Sequence, residues 1–171
     1  MIISLTYSKS NGKDNTMNIF VLDTDPKLAA QYHCDKHVVK MILESAQILS
    51  TVTGVGYRPT HKSHPCTLWA GEYLGNALWV AKLAEALNKE YIRRYHKHEH
   101  KSWGVIRDMI YPELLRMGLY GEIPIGNSPS PQCMPDEYKH EDTVQAYRNY
   151  YKGDKVRFAT WKNRETPYWW N

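Results

Sequence analysis

Residues 25–54, DPKLAAQYHCDKHVVKMILESAQILSTVTG, decide the fold. Asp25 followed by Pro26 is typical of a helix start, and Gly54 is typical of a helix end. Apolar side chains recur between these points at helical spacing, which predicts one helix of about 27 residues. The predicted core side of this helix consists of Leu28, Tyr32, Asp35, Val39, Ile42, Ala46 and Leu49.

A stripe of polar side chains crosses the same segment at spacings of four, three, four and three residues. Its members are His33, His37, Lys40, Glu44 and Gln47. These spacings place all five on one face of the predicted helix. Imidazole, amine and carboxylate groups are the side chains used in acid–base catalysis. The stripe is therefore either a solvated face, held by a weak Lys40–Glu44 pair, or one wall of a catalytic site.

The rest of the chain also favours helices. Three more are predicted: over about 64–98 with a bend near Gly71 or Gly75, over about 102–117 with a break or kink at Pro112, and over about 141–151. Residues 118–135 are rich in Pro and Gly and predict an irregular surface loop. A short strand is possible at 18–22. We expect a compact all-α bundle of about four helices with long first and second helices.

Length and composition indicate one domain. The chain has 171 residues, enough to bury about two thirds of its unfolded surface. We expect residues 1–16 to be a flexible extension and 17–171 to be a single helical domain. The three cysteines, Cys34, Cys66 and Cys133, form no CxxC pair, which favours a reducing compartment. Because neither a membrane span nor a secretory signal is evident, we expect a cytoplasmic protein without membrane contact.

A second candidate site is the loop at residues 60–66, THKSHPC, before the second helix. Free backbone N–H groups at a helix start suit a phosphate, and Lys62 with His61 and His64 adds positive charge. Alternatively, His64 or Ser63 simply caps the helix. A metal at His33 and His37, with His61, His64, Cys34 or Cys66 as further ligands, is disfavoured because the Glu of an HExxH helix is absent. We therefore expect no metal and no cofactor.

Two segments, 91–98 and 147–170, interleave basic and aromatic residues. Cations bind phosphates and flat rings stack on unstacked bases, so both segments predict nucleic-acid contacts. The net charge of +4 is compatible with a polyanionic partner. Alternatively, rings such as Tyr147 and Trp161 clamp the C-terminus onto the helices. The predicted nucleic-acid contacts are His33, Gln47, His61, Lys62, His64, Arg93, Arg94, Arg157, Trp161, Lys162 and Arg164.

One stretch of the chain has the pattern Lys36-x3-Lys40-x3-Glu44-x2-Gln47-Ile48-Leu49, followed by a Gly-containing loop and by His64-Pro65 with Trp69, Gly71 and Glu72. This order of residues resembles that of the pyrimidine-dimer DNA glycosylase family. These are the endonuclease V-type repair enzymes of phages and bacteria, and the likeness covers about residues 18–95. It implies a compact helical protein that flips a damaged pyrimidine out of duplex DNA, cuts its glycosidic bond and breaks the abasic strand. A phage-encoded member would act in the host cytoplasm.

The resemblance also implies roles for individual residues. Glu44 matches the essential carboxylate, and Lys36, Lys40 and His37 match phosphate or base contacts. The family's nucleophile is an amine at the mature N-terminus, whereas Ile2 and Asn18, which follow Met1 and Met17, are too large for ready removal of the preceding Met. Either Lys36 or Lys40 supplies the amine, or a different bond is hydrolysed, or catalysis is lost.

Two functions outside this chemistry stay open. The first is a non-catalytic nucleic-acid-binding module that uses the two basic-aromatic segments. The second is a hydrolase or binder of small nucleotides that uses the loop at 60–66 for phosphate.

Overall fold

The computed structural model of the protein describes residues 17–171, and every regular element in that range is a helix. The α-helices are α1 Pro26–Tyr32, α2 Asp35–Thr53, α3 Pro65–Glu72, α4 Leu74–Tyr95, α5 Lys101–Val105, α6 Tyr111–Leu119 and α7 Thr143–Tyr150. The π-helical segment Ile106–Ile110 joins α5 to α6, and a second π-helical segment, Tyr151–Lys155, extends α7. A 3-10 turn spans Asp136–Tyr138. The predicted all-α class is confirmed. The predicted extension at 1–16 lies outside the described residues.

The predicted strand at 18–22 is wrong, because this segment has no partner strand among the described residues. Instead it passes through the core without regular structure and turns at Phe20, with Ile19 and Leu22 completely buried. Because the segment is buried, its side chains are apolar, and a short apolar run in a sequence is typical of a buried strand.

The predicted first helix is divided into α1 and α2 at His33 and Cys34, which both have extended backbone angles. The guanidinium of Arg94 donates to the carbonyl oxygens of Gln31 and His33, at 2.9 and 2.8 Å. In an unbroken helix those oxygens would accept backbone N–H groups four residues later. The Cys34 N–H instead meets the Tyr151 hydroxyl at 3.4 Å. A buried arginine from another helix therefore causes the break.

The predicted second helix is divided at Tyr73, which is extended and separates α3 from α4. The break lies between Gly71 and Gly75, where a bend was predicted. The first backbone N–H groups of α4, from Leu74 and Gly75, donate to the carbonyl oxygens of Pro124 and Gly126, at 2.8 and 2.9 Å. A Cβ atom at Gly75 would collide with the Gly126 oxygen, so only glycine allows this approach. The irregular loop thus packs across the helix junction.

The later predictions agree more closely with the structure. The helix predicted over 102–117 corresponds to the continuous run from Lys101 to Leu119, with Pro112 in the first turn of α6 after the π-helical segment. The helix predicted over 141–151 corresponds to α7 and its π-helical extension. Residues 121–135 contain no helix and pass over the surface as predicted.

The core lies mainly between α2 and α4, with α1 packed on α4 and α3 packed on both. Ile42, Ala46 and Leu49 are completely buried, as the periodicity predicted. Leu28 is 37 % exposed, so its placement in the core was wrong. The break after Tyr32 turns α1 so that Ala29 and Ala30 face the core instead. No helix among the described residues is both long and apolar enough to span a membrane.

Candidate active site

Glu44 lies in the middle of α2, and only 8 % of the residue is exposed. Its Oε2 accepts the backbone N–H of Asn18 at 2.9 Å, and its Oε1 lies 3.4 Å from the Lys40 Nζ. Lys40 is more open, since 34 % of its side chain is exposed. A carboxylate and an amine this close can exchange a proton, and the carboxylate can stabilise a positive charge that forms nearby.

Asn18 is held in place from both sides. Its Nδ2 donates to the Cys133 carbonyl at 2.8 Å, and its Oδ1 accepts the N–H groups of Ile19 and Phe20 at 2.8 and 3.2 Å. Phe20 has a φ of 48°, a left-handed conformation that is unusual for an aromatic residue. Such strain is characteristic of functional sites, and here it belongs to the turn that brings the Asn18 nitrogen to Glu44.

His37 packs against the turn at Phe20 that leads from Asn18. Its ring stacks on Phe20 at 4.3 Å between centroids, and its Nδ1 lies 2.6 Å from the Tyr151 hydroxyl. Burial, followed by repulsion from His33 when that ring is protonated and from the Lys155 ammonium, holds the pKa of His37 well below its ordinary value. The imidazole is therefore neutral at neutral pH and positions its neighbours, which argues against the predicted phosphate contact.

Lys155 provides a second amine near these rings. It is completely buried, and its Nζ lies 4.5 Å from the Tyr150 ring centroid and 5.7 Å from that of Phe20. The Nζ also pairs with Asp154 Oδ2 at 2.9 Å. The π-helical segment that ends at Lys155 carries the side chain into this position, and such segments often occur at functional sites. Sequence reasoning placed Lys155 only within a basic-aromatic segment.

Other side chains of α2 lie on both sides of Glu44 along the same face of the helix. We call Lys36, Lys40, Glu44, Gln47 and Thr51 the α2 row, because their spacing places them on one helix face. Apart from Glu44, all are at least partly exposed. From Lys36 to Thr51 the row extends about 22 Å at the ordinary helical rise. Glu44 therefore lies near the centre of a long, accessible strip.

The loop at 60–66 adjoins one end of the α2 row. Thr51 Oγ1 donates to the Thr60 carbonyl at 2.9 Å and accepts the Thr60 N–H at 3.0 Å. This pair holds the exposed side chains of His61 and Lys62 beside the row. His64 accepts the Cys66 N–H at 3.1 Å, so the alternative interpretation of His64 as the cap of α3 is confirmed.

The C-terminal segment adjoins the other end of the α2 row. The Asp35 carboxylate accepts the backbone N–H of Lys162 at 2.9 and 3.0 Å and the Thr160 hydroxyl at 2.9 Å. The Lys36 Nζ lies 4.8 Å from the Phe158 ring centroid. Cations and rings of the C-terminal segment thus extend the strip beyond the helix.

The family comparison agrees with this geometry. A sequence profile of the pyrimidine dimer DNA glycosylase family matches residues 17–102, half of the chain. The chain belongs to the pyrimidine dimer DNA glycosylase family. The matched region contains Asn18, the whole α2 row and the loop at 60–66. Comparisons with curated proteins and with solved structures find no significant match. Membership confirms the resemblance and implies DNA as the substrate that is bound.

The two basic-aromatic segments of this glycosylase family member meet in space. Arg93 Nε donates to the Asn163 carbonyl at 3.3 Å, and the Lys162 Nζ lies 6.0 Å from the Tyr95 ring centroid. Arg164 forms an ion pair with Glu90, and Arg157 is exposed. The end of α4 and the C-terminal segment therefore form one surface, although the sequence separates them.

Some rings of these segments belong to the core. Tyr147 is completely buried, which confirms the alternative interpretation of this residue. Trp161 is partly buried, and its Nε1 donates to the Tyr32 carbonyl at 3.0 Å. It therefore clamps the C-terminal segment onto α1.

The structure argues against two of the predicted DNA contacts. Arg94 is completely buried and binds Glu90 and Asp35 at 3.0 and 3.1 Å, so it holds helices together. His33 is also completely buried, its Nδ1 donates to the Ala29 carbonyl at 2.7 Å, and burial lowers its pKa to about 4. Neither side chain is accessible to DNA in this fold. His33 and His37 belong to no group of three or more potential metal ligands among the described residues.

A pocket of about 440 Å³ is enclosed on one side by Val21 and Thr24, and on the others by α3, α4 and the irregular loop. Val21, Trp69, Trp79, Asn76 and Ser128 are among the residues that line it. The two indole rings meet edge to face with centroids 6.3 Å apart. Aromatic walls with hydroxyl and amide groups nearby are suited to a nucleobase.

One group of side chains in the described part of the chain is suited to a metal ion: His64, Cys66 and Cys133. Sequence reasoning missed Cys133 as a partner because it lies 67 residues from Cys66. The Cys66 thiol hydrogen bond lowers the pKa of Cys133, while the same contact and burial raise the pKa of Cys66.

Proposed function

We propose that the protein is a DNA glycosylase that excises a damaged or modified pyrimidine from duplex DNA, with Glu44 as the catalytic carboxylate. The observation that carries this proposal is the placement of Glu44. Its nearly buried carboxylate touches the Asn18 nitrogen and lies beside the Lys40 amine, at the centre of an accessible strip. Family membership supports the same chemistry.

The α2 row has the dimensions of a DNA interface. At about 3.4 Å per phosphate along one strand, a length of about 22 Å matches roughly six phosphates. Lys36 and Lys40 lie on one side of Glu44, and Lys62 lies beyond the other end of the row. Cations on both sides hold the strand across the site, so that the nucleotide opposite Glu44 is the one extruded.

The pocket beside Trp69 and Trp79 is the proposed receptor for the extruded base. Its walls include Val21, three residues beyond Asn18. Stacking against the rings would offset part of the cost of unpairing, which is lowest for a damaged base. Because a damaged base costs less to unpair, it would enter this pocket more readily than an intact pyrimidine.

The proposed chemistry begins with attack of an amine on the sugar C1′. The nitrogen forms a bond to C1′, and the base leaves with the electron pair of the glycosidic bond. Glu44 accepts the proton that the amine must lose and stabilises the positive charge on the sugar. The sugar ring then opens, because the C1′–O4′ bond breaks, O4′ takes the proton that Glu44 had accepted, and C1′ forms an imine with the amine nitrogen. Loss of a proton from C2′ expels the phosphate at C3′, so the abasic strand breaks by elimination. The abasic-site lyase step thus uses the same amine.

Lys40 is our first candidate for this amine because its Nζ lies 3.4 Å from Glu44. The Asn18 nitrogen is even closer, at 2.9 Å, but within the full chain it is an amide and not a nucleophile. In a chain that starts at Asn18, the same atom would be an amine in contact with Glu44. The geometry is thus compatible with the family's N-terminal nucleophile and with a lysine.

A trapping experiment tests this proposal. The protein is incubated with end-labelled duplex DNA that carries one thymine dimer, borohydride is added to reduce any imine, and the adduct is mapped by peptide mass spectrometry. We expect an adduct on Lys40 or, after cleavage before Asn18, on the N-terminal nitrogen. Lys40→Ala distinguishes the two, and Lys82→Ala, on the exposed surface of α4, is the matched control. Tight binding without an adduct or base release would favour a non-catalytic DNA-binding protein.

A further inference from the structure

Three potential metal ligands converge beside the candidate active site. The Sγ atoms of Cys66 and Cys133 are 3.5 Å apart, and a ring nitrogen of His64 completes a group whose members all lie within 4.8 Å of one another. His64 is the N-cap residue of α3 and Cys66 is in its first turn, whereas Cys133 belongs to the irregular loop. The chain thus brings the loop to the start of a helix at this point.

The geometry of the group resembles that of a zinc site. Two thiolates on a tetrahedral Zn²⁺, with bonds of about 2.3 Å, are separated by roughly 3.8 Å. The observed sulfur separation of 3.5 Å is close to that value. Thiolates together with an imidazole favour Zn²⁺ over Mg²⁺ or Ca²⁺, which prefer oxygen ligands.

We propose that His64, Cys66 and Cys133 bind a zinc ion, with water in the fourth position. Both cysteines bind as thiolates, and their protons are released to solvent. Cys66 is completely buried, but His64 and Cys133 are partly exposed, which gives the ion a route of entry. The third cysteine, Cys34, is not a member of the group.

The proposed ion would act on the candidate active site through Asn18. The Cys133 carbonyl accepts the Asn18 Nδ2 at 2.8 Å, and the Asn18 N–H donates to Glu44 at 2.9 Å. A metal bond to the Cys133 side chain would fix the loop to α3 and so fix the partner of Asn18. The role is positional, since none of the three ligands contacts the proposed reacting atoms.

Metal binding by the full chain tests this inference without any measurement of activity. The purified protein is stripped with a chelator under reducing conditions and titrated with Co²⁺ and then with Zn²⁺. We expect one equivalent of Co²⁺ to produce a thiolate charge-transfer band that Zn²⁺ abolishes. Zn²⁺ alone should also raise the unfolding temperature, because it binds the native state.

Three variants make the result specific. Cys133→Ser and His64→Gln should weaken Zn²⁺ binding by more than the ~10–100-fold loss typical of an outer-shell partner. Cys34→Ser is the matched control and should bind like the wild type. Circular dichroism establishes that each variant is folded, and His64→Gln serves if Cys133→Ser is not. Absence of the Co²⁺ band in the wild type, or an unchanged band in both ligand variants, would overturn the proposal.

Discussion

Removal of two lysines at opposite ends of the α2 row should reduce the salt dependence of DNA binding. Lys36 is exposed on the first turn of α2, and Lys62 is exposed on the loop that Thr51 anchors. Each phosphate contact contributes about 0.9 to the magnitude of the slope of log affinity against log salt concentration. The magnitude of this slope should therefore be smaller by about 1.8 in the double variant Lys36→Ala/Lys62→Ala than in the wild type. Between about 50 and 200 mM salt, the wild type should therefore lose about tenfold more affinity than the variant.

Fluorescence anisotropy with a labelled duplex, titrated at several salt concentrations, measures both slopes. The matched control is Lys27→Ala/Lys82→Ala, which removes two exposed lysines from a groove between α1 and α4 that shares no residue with the row. We expect the control to keep the wild-type slope. An equal reduction in the control, or a wild-type slope in the Lys36/Lys62 variant, would refute the assignment of this face to DNA.

Three further predictions concern the framework of the site. Arg94→Met should lower the free energy of unfolding by about 3–5 kcal/mol, because the buried Glu90 loses one of its partners. Gly75→Ala should lower it by about 1–3 kcal/mol, because the added methyl group meets the Gly126 carbonyl. The pKa of His33 falls from 6.5 to about 4 on folding, so the unfolded chain binds more protons than the folded chain between these pH values. Acidification through this window should therefore lower the free energy of unfolding by about 3 kcal/mol. Urea unfolding measures all three, with His33→Gln as the variant that lacks this pH dependence.

The outcomes that would contradict these predictions are equally concrete. A loss below about 1 kcal/mol for Arg94→Met would mean that the break between α1 and α2 does not depend on this side chain. Wild-type stability of Gly75→Ala would mean that the loop does not pack tightly on α4. An identical pH dependence in His33→Gln and wild type would show that His33 is not excluded from protonation in the native state.

The helical class and the face of Glu44 could be predicted from sequence because both depend on local periodicity. Apolar residues at helical spacing identified α2 and its core, and the four-residue separation of Lys40 and Glu44 placed them side by side. The break at His33 could not be predicted in this way, whereas Gly71 and Gly75 predicted a bend near Tyr73 but not the loop that packs against it. Arg94 is 61 residues from His33, and the partner of Gly75 lies in the irregular loop.

The same distinction applies to the candidate site. Asn18, Lys155 and Cys133 reach it through the tertiary fold, and no local pattern connects them with Glu44. Basic character alone also failed to separate neighbouring arginines. Arg93 is exposed and Arg94 is completely buried, although both fit the same basic-aromatic pattern.

The most direct test of the account is the rate at which Glu44→Gln excises a thymine dimer under single-turnover conditions. Glutamine keeps an oxygen that can accept the Asn18 N–H but removes the charge. We expect the rate to fall by about 10²–10⁴-fold while DNA affinity changes little. Glu141→Gln, an exposed carboxylate in the segment before α7, is the control and should excise at the wild-type rate. Wild-type excision by Glu44→Gln would contradict the central claim.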